Sequence, residues 1–172
     1  MRLTDKIMSN GIYKDCVAYI KKCEETRAFC KHGEDHSIDV ARIAYALNLE
    51  ENLGLKKDII YATALLHDLG RSEEYRSGTP HDVAGVATAR VILRGCWAPE
   101  DEINLITAAI EAHRGHDKPG ATTVIGGTAA DQPQALAWVI KKADKLSRPC
   151  YDCEASADCK WPDDKKNHRL EY

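Results

Sequence analysis

The chain of 172 residues sets 24 Lys plus Arg against 27 Asp plus Glu, a formal charge of −3, and 44% of it is apolar. That composition suits one domain with a sizeable core and excludes a disordered tail, while the near-neutral balance makes no general case for nucleic-acid binding. No apolar run approaches the roughly 20 residues that span a bilayer, and the opening MRLTDKIMSN lacks a signal peptide's apolar stretch, so a soluble cytoplasmic protein is expected.

In chain order, amphipathic or apolar-striped segments predict helices over roughly 13–30, 36–52, 56–68, 81–94, 99–115 and 132–147. Ser37, Asp58 and Pro99–Asp101 supply the polar starts that helices favour, and Gly54, Gly70 and Gly95 punctuate their ends. No hairpin signal separates alternating apolar runs. Ala121–Ile125 reads as a short extended piece, which by itself makes no sheet. Loops are expected over Arg71–Pro80 and over the Gly-rich Arg114–Thr128, and long loops in a helical domain often line a site. The expectation is an all-α chain: a compact single-domain helical bundle of six or seven helices over 1–148, with 149–172 as a Cys-containing appendage.

Seven His and seven Cys are an unusual surplus of metal-capable side chains for this length. The pair His67–Asp68 ends the apolar run YATALLHDLGR, and His67 shares a face with Ala64 and Ile60. A carboxylate beside an imidazole at the buried end of an apolar helix is costly unless something pairs with them. His36 continues the stripe of Val40, Ile43 and Leu47; His113 continues that of Ile103, Ile106 and Ile110; Asp144 continues Leu136 and Ile140. His81 opens the segment carrying Val83, Val86 and Ala87. Five helices thus each carry a His or Asp along an apolar face or at their start, and imidazoles and carboxylates converging from several helices are the ingredients of a metal site.

On these residues the chain resembles the HD superfamily of metal-dependent phosphohydrolases. His36 in HSIDVARIA, His67–Asp68 in LLHDLG and Asp144 in KKADKL match its H…HD…D pattern, within residues 30–148. The resemblance implies a bundle of helices in which His36, His67, Asp68 and Asp144 hold one divalent metal. Members with extra histidines hold a second metal bridged by the doublet Asp, and His81 in TPHDVAGVATAR and His113 in AAIEAHRGH match those positions.

The chemistry follows from the donor set. Four or five imidazoles favour Fe, Mn, Zn, Ni or Co over Mg, which prefers oxygen ligands. Two such ions, about 3.5–4 Å apart, lower the pKa of a shared water and clamp phosphoryl oxygens during in-line attack. Arg71, three residues after Asp68, is a candidate phosphate contact, as are Lys145 and Arg114. His116 is a candidate general acid, substrate contact or spare ligand. His32 stands four residues before His36 but is off its stripe, which places it in an outer shell or at the surface. His168 lies in the polar tail, away from this site.

The cysteines form a second concentration. Cys150-x2-Cys153-x5-Cys159 suggests a small Zn knuckle or an iron–sulfur ligand set, with Cys30, Cys23, Cys16 or His168 as fourth ligand and Cys30 the most attractive. Reduced, unligated cysteines are the plain alternative. Cys96 is expected in the core, and the odd total argues against a disulfide framework.

The leading expectation is a hydrolase that releases phosphate from a small molecule, with a nucleotide as the class that the resemblance implies. Aromatic residues are 6% and no base-stacking platform can be placed. Two other readings stay open: a non-catalytic metal- or nucleotide-binding regulator on the same scaffold, and a di-iron oxygenase of the same fold.

Overall fold

Lys57–Leu66 is the most completely buried segment of the core. It has almost no polar face: Ile59, Ile60, Ala62, Thr63, Ala64, Leu65 and Leu66 are all buried, and the Thr63 hydroxyl donates back to the Ile59 carbonyl at 2.8 Å. A helix apolar on all sides has to sit inside its neighbours. In the computed structural model, which describes residues 1–113 and 132–172, it does so as α4.

The described residues form α1 (Leu3–Ser9), α2 (Gly11–Cys23), α3 (Glu34–Glu50), α4 (Lys57–Leu66), α5 (Arg71–Ser77), α6 (His81–Gly95), α7 (Glu100–Ala112) and α8 (Gln132–Leu146), with single 3-10 turns at Cys150–Asp152 and Asp163–Lys165. α4 packs against α1, α3, α7 and α8; α3 also packs on α8, α6 on α7, and α5 on α2 and α6. The apolar stripes meet where the sequence puts them: Val40, Ile43 and Leu47 of α3, Ile103, Ile106 and Ile110 of α7, and Leu136 and Ile140 of α8 share one core with α4. The all-α bundle is as expected, with six long helices joined by two of seven residues.

Those two short helices are what periodicity overlooks. α1 is held by a carboxylate from elsewhere: Asp58, in the first turn of α4, accepts from the Leu3 amide at 2.9 Å and the Thr4 hydroxyl at 2.9 Å. Asp58 therefore caps a distant helix start as well as beginning its own. The stretch expected as a loop over Arg71–Pro80 is mostly α5, closed by Gly78 at φ 79°, whose amide donates to the Glu74 carbonyl at 2.9 Å. The first long helix ends at Cys23 rather than near residue 30. The reason is Glu24, buried at the corner, whose carboxylate accepts from the His32 amide and the His32 Nδ1, both at 2.6 Å, and from the Tyr75 hydroxyl at 2.5 Å. Residues 24–33 fold back around that side chain instead of continuing the helix. The extended piece Ala121–Ile125 and the Gly-rich loop Arg114–Thr128 lie outside the described residues.

Gly70 sets how closely α5 and α6 approach the end of α4. A Cβ on Gly70 would overlap the His81 carbonyl oxygen and crowd the Gly85 amide. Its backbone is ordinary right-handed, so the requirement is one of space. Helix α6 can thus bring its first residue, His81, against the turn that follows α4.

Two outcomes follow. Gly70→Ala must push α6 outward; the expected cost is roughly 1–3 kcal/mol, read as a lowered midpoint in denaturant unfolding. For Glu24, burial alone would raise the carboxyl, but the hydrogen bonds from His32 and Tyr75 outweigh it and hold it at about 2, below its ordinary 4.5. Its stabilisation is therefore complete above pH 4.5 and lost as the pH falls towards 2. Glu24→Gln should cost about 1–3 kcal/mol at neutral pH, a deficit that shrinks on acidification in unfolding curves taken across that range.

Candidate metal centre

Helix ends build the centre. His67 and His113 occupy equivalent places, each just past the last residue of its helix, α4 and α7. There the terminal carbonyls have no partner within the helix. Each ring turns back and donates from Nδ1 to the carbonyl three residues earlier: His67 to Ala64 at 2.7 Å, His113 to Ile110. One bond satisfies an orphan carbonyl and fixes the tautomer, leaving Nε2 with its lone pair. His81, the first residue of α6, donates from Nδ1 to a Glu74 carboxylate oxygen of α5 at 2.9 Å. His36, in the first turn of α3, has its Nδ1 3.3 Å from the Ser147 hydroxyl, which itself donates to the Asp144 carbonyl at 2.8 Å.

These anchors turn four imidazoles towards Asp68. Ring centroids of His36 and His67 are 5.5 Å apart, those of His67 and His113 5.6 Å, and those of His81 and His113 5.9 Å. Asp68 Oδ2 lies 3.7 Å from His36 Nε2 and 3.4 Å from His67 Nε2. The other oxygen, Oδ1, lies 3.5 Å from His81 Nε2 and 3.0 Å from Arg71 Nε. Asp144 closes the first side, with Oδ1 3.3 Å from His36 Nε2. Among the described residues, two groups have donor atoms within 4.8 Å of one another: His36, His67, Asp68 and Asp144, and Asp68, His81 and His113. Asp68 belongs to both.

The electrostatics suit a cation. Burial would raise the Asp68 carboxyl, yet the surrounding His67, Arg71, His32 and His36 hold it well below the usual range. Burial would likewise lower His36, but Asp144 and Asp68 raise it. The negative charge that retains a proton there also favours a metal ion. His113 is pushed down to about 4 by burial and by His67, so it is neutral and offers a lone pair near pH 7. His36 Nε2 and His67 Nε2 are buried with no hydrogen-bond partner. Buried nitrogens of that kind need an explanation, and an ion between them supplies one. Four imidazoles and two carboxylates fit a divalent transition metal.

The six residues expected from sequence are thus together. Arg71 is at the centre too, paired with Asp68 and 3.8 Å from Glu74. Lys145 is exposed on the last turn of α8. Arg114 and His116 lie outside the described residues. His32 is half-buried in the outer shell, edge-on to His36 with centroids 5.8 Å apart. Sequence reasoning missed Glu74, Ser147 and Glu24, which hold His81, His36 and His32; no spacing rule flags a carboxylate that reaches its partner only after folding.

Beside His36 lies a cavity of about 580 Å³. It brings together Cys30, Cys150, Cys153 and Cys159 with aromatic side chains that include Tyr151 and Trp161, so tail aromatics do gather at one place, which the sequence did not reveal. No three of those sulfurs are among the groups within 4.8 Å of one another, and all seven cysteines are free thiols. Cys96 is buried in the core, as expected, and Cys16 is buried too. His168 is exposed and donates to the Asp163 carbonyl at 2.8 Å, apart from the centre.

Comparison with known proteins agrees with this geometry. The HD domain family profile matches residues 33–148. An uncharacterized protein of Clostridium beijerinckii is 42% identical over 152 residues, which cover 88% of this chain and 87% of that one. Ribonuclease Y of Clostridium botulinum is 24% identical over 154 residues, 84% of this chain but 28% of the enzyme. Ribonuclease Y of Finegoldia magna is 29% identical over 127 residues, 74% of this chain and 23% of the enzyme. The chain thus spans about a quarter of the ribonucleases Y that it matches. No solved structure matches it significantly. No helix among the described residues is long and apolar enough to cross a membrane. With the profile extending over more than half of the chain and two donor sets meeting at the doublet aspartate, the chain belongs to the HD domain family of metal-dependent phosphohydrolases.

Proposed function

We propose that the centre takes two divalent transition-metal ions, one among His36, His67, Asp68 and Asp144 and one among Asp68, His81 and His113. The reaction is hydrolysis of a phosphate ester or anhydride of a small molecule, with a nucleotide as the substrate class. The observation that carries the two-ion reading is the division of Asp68: Oδ2 faces His36 and His67, and Oδ1 faces His81. A carboxylate disposed in that way suits a bridging role.

When bound, the ions supply Lewis acidity to the phosphoryl group and make water a better nucleophile. The chain's own residues do the rest. Nδ1 bonds to Ala64, Ile110, Glu74 and Ser147 keep four rings from rotating, so their other nitrogens stay aimed inward. Arg71 stands against Asp68 Oδ1, partly exposed, and brings positive charge to the side where phosphoryl oxygens would enter. His116, three residues beyond His113, is proposed to contact the substrate or to protonate its leaving oxygen. The nucleotide preference is supported by the activities common in the family. It is supported also by the ribonuclease Y relatives, whose name denotes action on RNA, a polymer of nucleotide phosphodiesters.

The decisive experiment loads the chain with Mn, Fe, Co, Ni or Zn and follows phosphate release from nucleoside mono-, di- and triphosphates, an aryl phosphate and a short oligoribonucleotide. Turnover of a nucleotide with one of these metals is expected. A metal-replete chain inert across the panel overturns the proposal, and cleavage of the oligonucleotide alone overturns its small-molecule half. Elemental analysis should find about two ions per chain. Asp68→Ala should lose both ions and activity, whereas His81→Ala should lose one ion. Glu74→Gln should weaken binding on the His81 side by about 10–100-fold.

A further inference from the structure

The last 26 residues, 147–172, hold their places without a core: none of them is buried, and their regular structure is two single 3-10 turns. Polar contacts tie them down. Asn167 Nδ2 lies at 2.8 Å from both the Lys145 and the Arg148 carbonyls, Lys166 Nζ donates to the Ser156 carbonyl at 2.8 Å, Arg148 lies 4.8 Å from the centre of the Trp161 ring, and the Tyr172 hydroxyl reaches Glu50 at 2.7 Å. Exposed and part-buried contacts of this kind are each worth about 1 kcal/mol or less. Segments too small to bury apolar surface are ordinarily fixed by a disulfide or a metal.

The thiols are arranged for the second. Cys150, Cys153 and Cys159 come from the tail, and Cys30 comes from the corner between α2 and α3; all four are half-buried and line the cavity beside His36. The other three do not line it: Cys16 and Cys96 are buried in the core, and Cys23 is exposed at the end of α2. Four sulfurs facing one half-buried space are a donor set that suits a soft cation. No disulfide joins any of the four, since all are free.

We propose that Cys30, Cys150, Cys153 and Cys159 form a four-thiolate metal site, separate from the His/Asp centre, which staples the C-terminal tail to the bundle. Soft thiolates in a set of four take a single zinc or an iron–sulfur cluster. The four sulfurs are not drawn in to single-ion distances, since no three of them lie within 4.8 Å of one another. Metal uptake therefore tightens the tail against the Cys30 corner.

Cobalt distinguishes this site from the other, because only thiolates give a strong sulfur-to-cobalt charge-transfer band in the near ultraviolet and the His/Asp centre has none to offer. Full-length protein titrated with Co²⁺ should develop the band. Cys30→Ser and Cys153→Ser should each diminish it, and Cys23→Ser should leave it unchanged. Cys30→Ser lies outside the tail, so it reports on the site even if Cys153→Ser disturbs the tail's folding. Protein purified without oxygen should carry either zinc or iron with inorganic sulfide beyond what the His/Asp centre accounts for, and the two analyses distinguish the two forms. Stripping that metal should speed proteolysis within 147–172 on the order of tenfold. Absence of the band in the wild-type chain, or a band unchanged in both Cys30→Ser and Cys153→Ser, overturns the proposal. None of these readouts depends on phosphatase activity.

Discussion

The fold is organised around one buried carboxylate with a different environment at each oxygen. Asp68 is 4% exposed, a position in which an ionised group is expensive unless its surroundings repay the lost hydration. Arg71 meets one oxygen at 3.0 Å, and His36 and His67 approach the other at 3.7 and 3.4 Å. The histidines share that charge unevenly: burial pushes His113 towards neutrality, whereas Asp144 and Asp68 raise His36. A divalent cation bound beside Asp68 would supply further positive charge. The four inward-facing imidazoles would then be its ligands rather than a liability.

Bringing so many polar groups to one point depends on where helices end. A helix interior offers a ring no spare backbone acceptor nearby, whereas the last turn offers carbonyls that need a donor. His67 and His113 use that surplus in the same way, and Pro80 and Gly33 set His81 and His36 near helix starts. Gly70 then lets α6 approach the turn after α4 until His81 faces the oxygen that His67 does not. The centre is therefore a meeting of helix termini over a wholly apolar helix.

An outer set of carboxylates refines this plan. Glu74 fixes His81, and Glu24 fixes His32, whose ring stands edge-on to His36. Both belong to segments that close the bundle on one side, α5 and the corner after α2. The remaining side is closed by the tail, which carries Ser147 against His36 and three cysteines against the fourth. His36 is thus held by Ser147, the first residue of a segment with no core of its own.

The all-α class and the six long helices were legible in the sequence, because apolar periodicity of 3.6 marks which side of each helix faces inward; His36, His67, His113 and Asp144 continue those stripes, and their grouping with Asp68 and His81 is what the resemblance to the HD superfamily implied. Local pattern also marked the cysteine spacing. It could not show that 71–77 is helical or that the first long helix stops at Cys23, since Gly78 and Glu24 act through a turn and through partners as far away as Tyr75. Nor could it divide the two oxygens of Asp68 between two sets of ligands, or pick Cys30 as the thiol that joins the tail's three in one cavity. Periodicity specifies the direction of a side chain relative to its own helix. The distances between side chains on different helices are decided only when α3, α7 and α8 pack around α4 and α6 packs on α5 and α7.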